Sequence, residues 1–114
     1  MTTVTLYHNP RCRTSRTALE LLRKRGIEPQ IIEYLNTPPT APEIKRILKM
    51  LGIPARELLR LKEGKEAGLT KPGLSEDAII AGMAKHPIAI ERPIAISGKR
   101  AALGRPAEKV LTIL

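Results

Sequence analysis

The chain contains no tryptophan and no phenylalanine, and Tyr7 and Tyr34 are its only tyrosines. A core must then be packed from Leu, Ile, Val, Ala and Met, and no row of aromatic side chains is available on which nucleic-acid bases could stack. Cysteine is scarcer still. Cys12 stands alone, so no disulfide can close within the chain, and the expected setting is a reducing cytoplasm. One cysteine and two histidines, His8 and His86, offer no metal-ligand spacing, so no metal is expected. The longest apolar runs are a few residues, far short of a membrane span. The strand-like pattern begins almost at the start of the sequence, and no signal peptide is expected.

Acidic residues are also in deficit: 20 Lys and Arg stand against 11 Asp and Glu, a net charge of +9. The basic residues are spread along the chain, with short clusters at Arg23-Lys24-Arg25 and Lys99-Arg100. The first cluster falls where a helix should end, and cations there complement the negative end of the helix dipole. Most of the charge reads as solvated surface rather than a nucleic-acid platform. A positive field of this kind still attracts small anions and acidic molecules such as glutathione.

What is present suits one domain over residues 1–114, with a monomer as the default at this length. Thr3–Tyr7 alternates as a strand, and Asn9-Pro10 breaks it. From Cys12 onward, Ala18, Leu19 and Leu22 recur at helical spacing until Gly26, and residues 30–35 form a second strand. By the crossover rule the two strands are parallel. Thr40 with Glu43 predicts a capping box for a helix carrying Ile44, Ile47, Leu48 and Leu51, closed by Gly52. Pro54 can open a short helix, residues 62–73 read as a surface loop, and Ser75 caps a further helix that ends at His86-Pro87. Ile94–Ile96 and Ala101–Leu103 are strand-like around a tight turn at residues 97–99. Pro106 is placed as the first residue of a last helix carrying Val110, Leu111 and Leu114. The order predicts a mixed α/β sheet flanked by helices, with a helical insertion between a β-α-β half and a β-β-α half.

Cys12 follows a strand and a proline turn and begins a helix. Free backbone N–H groups and the positive dipole end favour an anion there, so a thiolate is stabilised and its pKa falls. A free cysteine is more often a small buried hydrophobe. Arg11 and Arg13 on either side argue against burial here. They and His8 would lower the thiol pKa if their charges face the sulfur. Thr14 and Ser15 add hydroxyls at the helix start, where an oxyanion could also bind. His86, next to Pro87, reads as structural.

The stretch Tyr7-His8-Asn9-Pro10-Arg11-Cys12-Arg13-Thr14-Ser15 resembles the active-site segment of the glutaredoxin-coupled arsenate reductases. Agreement continues through Pro38-Pro39, Leu58-Leu59-Arg60, His86-Pro87-Ile88, Glu91-Arg92-Pro93-Ile94 and Gly104-Arg105-Pro106, in order along nearly the whole chain. The resemblance implies a thioredoxin-like fold with a helical insertion, Pro93 as a cis-proline beside the cysteine, and Arg60, Arg92 and Arg105 as oxyanion ligands. Guanidinium forks match tetrahedral oxyanions through paired donors, which supports arginine in that role. One departure is Arg11 and Arg13, where members of the reductase branch tend to have small residues. Those charges could tune the thiol, receive glutathione carboxylates, or mark a branch with another substrate.

The expected activity is reduction of arsenate to arsenite through a Cys12 adduct. With one cysteine, the second thiol must come from outside, as glutathione followed by a glutaredoxin or another dithiol protein; no bound cofactor is implied. Two alternatives stay open. One is a general glutathione-dependent thiol-transfer enzyme, which would not need the arginine trio. The other is a redox-related regulator that binds RNA polymerase, a function typically tied to a Cys-x-x-Cys pair; here the second position is Ser15.

Overall fold

The protein is described from a computed structural model over residues 3–114; the first two residues of the expected 1–114 domain lie outside the described residues. The chain forms two compact units. One runs up to Thr37 and resumes at Arg92–Leu114, and the other is Pro38–Glu91. The second unit is the expected helical insertion.

The first unit carries β1 (Thr5–His8), α1 (Arg13–Lys24), β2 (Gln30–Glu33), β3 (Ile94–Ser97) and β4 (Arg100–Leu103). Its four-stranded sheet has the order β2-β1-β3-β4. β1 pairs with β2 in parallel and with β3 antiparallel, and β3 pairs antiparallel with β4. This is the predicted mixed sheet. Val4 and Leu6 alternate onto one face, where they join Ala18 and Leu22 of α1, Ala95 of β3 and Ala102 of β4. The β3–β4 hairpin turns through Gly98-Lys99, and Gly98 takes a φ of +61°, which glycine adopts without a Cβ penalty.

Three boundaries differ from expectation. β2 stops at Glu33 because the Asn36 and Thr37 N–H groups both turn back onto the Glu33 carbonyl (2.9 and 3.0 Å). The last helix is a 3₁₀ helix over Ala107–Ile113. Its buried residues are Ala107, Val110 and Ile113, and a three-residue turn lines up that spacing, whereas Leu111 and Leu114 are only partly buried. Pro106 is not its first residue but precedes it as the cap, in extended conformation.

In the second unit the Thr40–Glu43 capping box forms at the start of α2 (Ala41–Leu51), and Gly52 ends it in the left-handed region. Pro54 caps α3 (Ala55–Leu58), and the Ser75 hydroxyl caps α5 (Glu76–Lys85), with a 3₁₀ turn at Pro87–Ala89 beyond. The expected loop over 62–73 is partly helical: α4 spans Leu61–Glu66. Gly64 misleads because it serves packing rather than a turn; a Cβ there would sit 3.4 Å from the Leu59 Cβ. A short antiparallel bridge joins Leu59 to Ile90, flanked by Arg60 N–H to Ala89 O and Glu91 N–H to Leu58 O, both 2.8 Å. No helix among the described residues is long and apolar enough to cross a membrane.

Candidate active site

The loop after β1 is built to present Cys12. The Cys12 N–H donates to the Asn9 carbonyl (2.9 Å), and the Arg11 N–H donates to the Asn9 side-chain oxygen (3.0 Å). Pro10 supplies no N–H but its carbonyl accepts from the Arg16 guanidinium (2.9 Å). These bonds hold the turn against the helix that follows it. Cys12 is the N-cap residue of α1, with extended backbone. No side-chain oxygen caps this helix and no acidic residue stands in its first turn. Cys12 stands at the N-cap without a side-chain capping hydrogen bond, and the nearby Ser15 and Thr14 N–H groups favour the charged form of its sulfur.

Two distant arginines complete the setting. One Arg105 Nη lies 3.7 Å from the Cys12 sulfur, and the Arg105 Nε donates to the Arg92 carbonyl (3.0 Å). Arg92 is almost fully buried, and the Arg92-Pro93 and Arg105-Pro106 peptide bonds are both cis. The first of these is the cis-proline the resemblance implied; the second is an addition to it. Gly104 allows the close approach between them: a Cβ there would meet Pro93 Cγ at 2.7 Å and Val110 Cγ1 at 2.9 Å.

Burial pushes the Cys12 thiol up, but the Ser15 N–H, the Arg105 charge, the Thr14 N–H and the Arg92 charge together outweigh it. The net pKa lies below the ordinary thiol value, so the thiolate is favoured. Arg11 and Arg13 are exposed and are not among the charges that act on the sulfur. The charges that lower the thiol pKa are those of Arg105 and Arg92 rather than of these chain neighbours.

His8 sits beneath the helix start. Its Nδ1 shares a 2.6 Å hydrogen bond with the Ser15 hydroxyl, which also accepts the Asn9 N–H (3.1 Å). Burial lowers the His8 pKa; Glu33 opposes this, and Arg23 and Arg16 add to it, so the ring is held neutral at pH 7. The Ser15 side chain is thus engaged with His8 and Asn9, and its link to the sulfur is through its backbone. Asn9, 4% exposed, is a site residue that the sequence marks only as a strand breaker.

Cys12, His8, Thr14, Ser15, Arg92, Pro93 and Arg105 all belong to the first unit. Arg60 belongs to the second, where its Nε pairs with Glu63 (2.9 Å) and its Nη1 with Glu91 (3.3 Å). His86 is the exposed C-cap of α5. Among the described residues, no group of three or more His, Cys, Asp or Glu is arranged to hold a metal.

Residues 7–113 match the ArsC family. The chain belongs to the ArsC family. An arsenate reductase from Neisseria meningitidis serogroup A is 44% identical over 117 aligned residues, covering the whole of both chains. An arsenate reductase from Escherichia coli is 45% identical over the whole of this chain and 82% of its own length. The solved structure of an arsenate reductase from Vibrio cholerae is 47% identical and superposes with a TM-score of 0.95 over 99% of this chain and 98% of that one. The mixed sheet and helices described above are therefore the thioredoxin-like α/β fold of ArsC proteins.

Proposed function

We propose that this ArsC protein is an arsenate reductase whose nucleophile is Cys12. The observation that carries the reading is the Arg105 guanidinium 3.7 Å from a sulfur at the N-terminus of α1, whose first N–H groups favour its charged form. A thiolate and an oxyanion need the same surroundings, namely converging donors with positive charge. Arsenate docks on the helix start with Arg92 and Arg105 as forked donors. Arg60 is assigned as a third ligand on the sequence resemblance. His8 acts as a positioning residue, holding Ser15 and through it the N–H that faces the sulfur.

The Cys12 thiolate attacks arsenic, an As–S bond forms, and one arsenate oxygen leaves as water after protonation. A glutathione thiol then attacks the Cys12 sulfur. The S–S bond forms as the As–S bond breaks, and its electron pair stays on arsenic, so arsenic(V) becomes arsenic(III). The balance is one arsenate and two thiols giving one arsenite, one mixed disulfide and one water. A glutaredoxin or a second glutathione reduces that disulfide and returns Cys12. A reducing cytoplasm is the compartment in which this cycle runs. Phosphate shares the shape and charge of arsenate and is expected to compete weakly for the site, but it offers no accessible reduced product and is not turned over.

The test is arsenate-dependent oxidation of glutathione in the presence of a glutaredoxin. Wild type turns over, Cys12→Ser does not, and Arg92→Ala is strongly reduced. Absence of turnover in wild type, with Cys12 still rapidly glutathionylated, would sink the reading in favour of thiol transfer.

A further inference from the structure

A recess opens on the loop after β1, and neither Arg92 nor Arg105 lines it. His8, Pro10, Arg11, Glu33, Leu35 and Asn36 line a hollow of about 340 Å³, all within the first unit. Its near wall is the turn that presents Cys12, fixed by the Asn9 and Arg16 bonds described above. Its far wall is the turn after β2, fixed by the Asn36 and Thr37 N–H groups on the Glu33 carbonyl. The parallel register pairs His8 with Glu33, so their side chains share one face of the sheet.

The polar groups in this hollow are open to a ligand. The Arg11 guanidinium and the Glu33 carboxylate make no hydrogen bond or ion pair among the described residues. His8 is 5% exposed, and with Nδ1 engaged by Ser15 its Nε2 is the ring nitrogen left over. Asn36 adds an amide, and Pro10 and Leu35 supply apolar walls. A cation and an anion left open across one small concave space fit a ligand group that carries both charges on adjacent atoms, which is an α-amino acid end.

We propose that this hollow is the seat of the γ-glutamyl end of glutathione, with Arg11 taking its α-carboxylate and Glu33 its α-ammonium. The inference rests on the reductase reading, which requires an external thiol because Cys12 is the only cysteine. It gives Arg11 a role that tuning the sulfur does not. Arg11 and Cys12 belong to one turn, both with N–H groups bonded to Asn9, so a tripeptide held by its amino-acid end needs only its own extended length to bring its thiol to the sulfur.

The probe is S-methylglutathione, which cannot react and whose binding is read whether or not the protein reduces arsenate. Titrated against wild type by amide chemical shifts, it moves His8, Arg11, Glu33 and Asn36. Arg11→Ala and Glu33→Gln each weaken its binding by about two- to fivefold, as expected for loss of one exposed charged contact. In turnover assays the same variants raise the KM for glutathione and leave the KM for 2-mercaptoethanol, which lacks the amino-acid end, unchanged. Equal binding by wild type and both variants, shifts confined to residues around Arg105, or no binding would each overturn the proposal. If arsenate turnover persists in that case, the reductase reading stands without this seat. If wild type binds the probe in the hollow but fails to turn over arsenate, the seat stands and the reductase reading fails.

Discussion

Two pairs of arginines bear on Cys12 in opposite ways. Arg11 and Arg13 flank it in sequence, yet both are exposed and neither is among the charges that lower the thiol pKa. Arg92 and Arg105 are remote in sequence, yet both act on the thiol and one touches it. The reason is geometric. At a helix start the sulfur lies near the first free N–H groups, while the two flanking arginines are exposed to solvent. The groups that meet the sulfur must then come from other elements, here the turns before β3 and after β4.

The sharpest break of this comparison is Arg105→Ala. It removes one donor and one charge from the sulfur, and kcat/KM for arsenate falls by about 100-fold. Alkylation of Cys12 followed against pH shows its inflection moving up toward the ordinary thiol value, because the depressed pKa loses one of its supports. The same profile for Arg13→Ala stays where wild type has it. An Arg13→Ala shift as large as that of Arg105→Ala would break the comparison outright.

Gly104→Ala attacks the remote pair through the backbone. The new Cβ collides with Pro93 and Val110, so one of them or the Arg105 turn must move. A loss of about 1–3 kcal/mol is expected in chemical denaturation, as for overpacking elsewhere. Ser15→Ala works from beneath the helix. It leaves the His8 Nδ1 and the Asn9 N–H without their shared oxygen, at a cost of about 1–3 kcal/mol in the same measurement.

The smallest effect is a pH dependence of stability from His8. Its folded pKa lies below its unfolded value of about 6.5, so between the two the unfolded chain binds more protons. The His8 contribution is therefore full above the unfolded value and is lost as pH falls through that interval. Urea midpoints measured from neutral pH down to about pH 5 decline in wild type, and His8→Asn declines less.

Much of the fold is legible in the order of residues alone. The Thr40–Glu43 capping box, the Ser75 cap, the Gly52 stop and the Gly98 hairpin turn are local devices, each set by a few adjacent residues. The position of Cys12 at a helix start is local in the same sense. The α4 helix is not legible, because Gly64 signals a turn in sequence and serves as a packing surface for Leu59 in space. The apolar pattern of the final helix suggests the wrong period, since only contact with the sheet and α1 selects Ala107, Val110 and Ile113 over Leu111 and Leu114.

The sequence by itself determined that a lone cysteine opens α1 and that any second thiol must be external, because both follow from order and count. It also determined the β-α-β and β-β-α halves through their apolar periods. Only the tertiary structure decided which charges depress the thiol. It also decided that the Ser15 hydroxyl serves His8 and that Arg11, in the turn after β1, and Glu33, at the end of β2, line one hollow. Electrostatic influence depends on distance and burial, and the chain sets neither until strands far apart in sequence are brought into register.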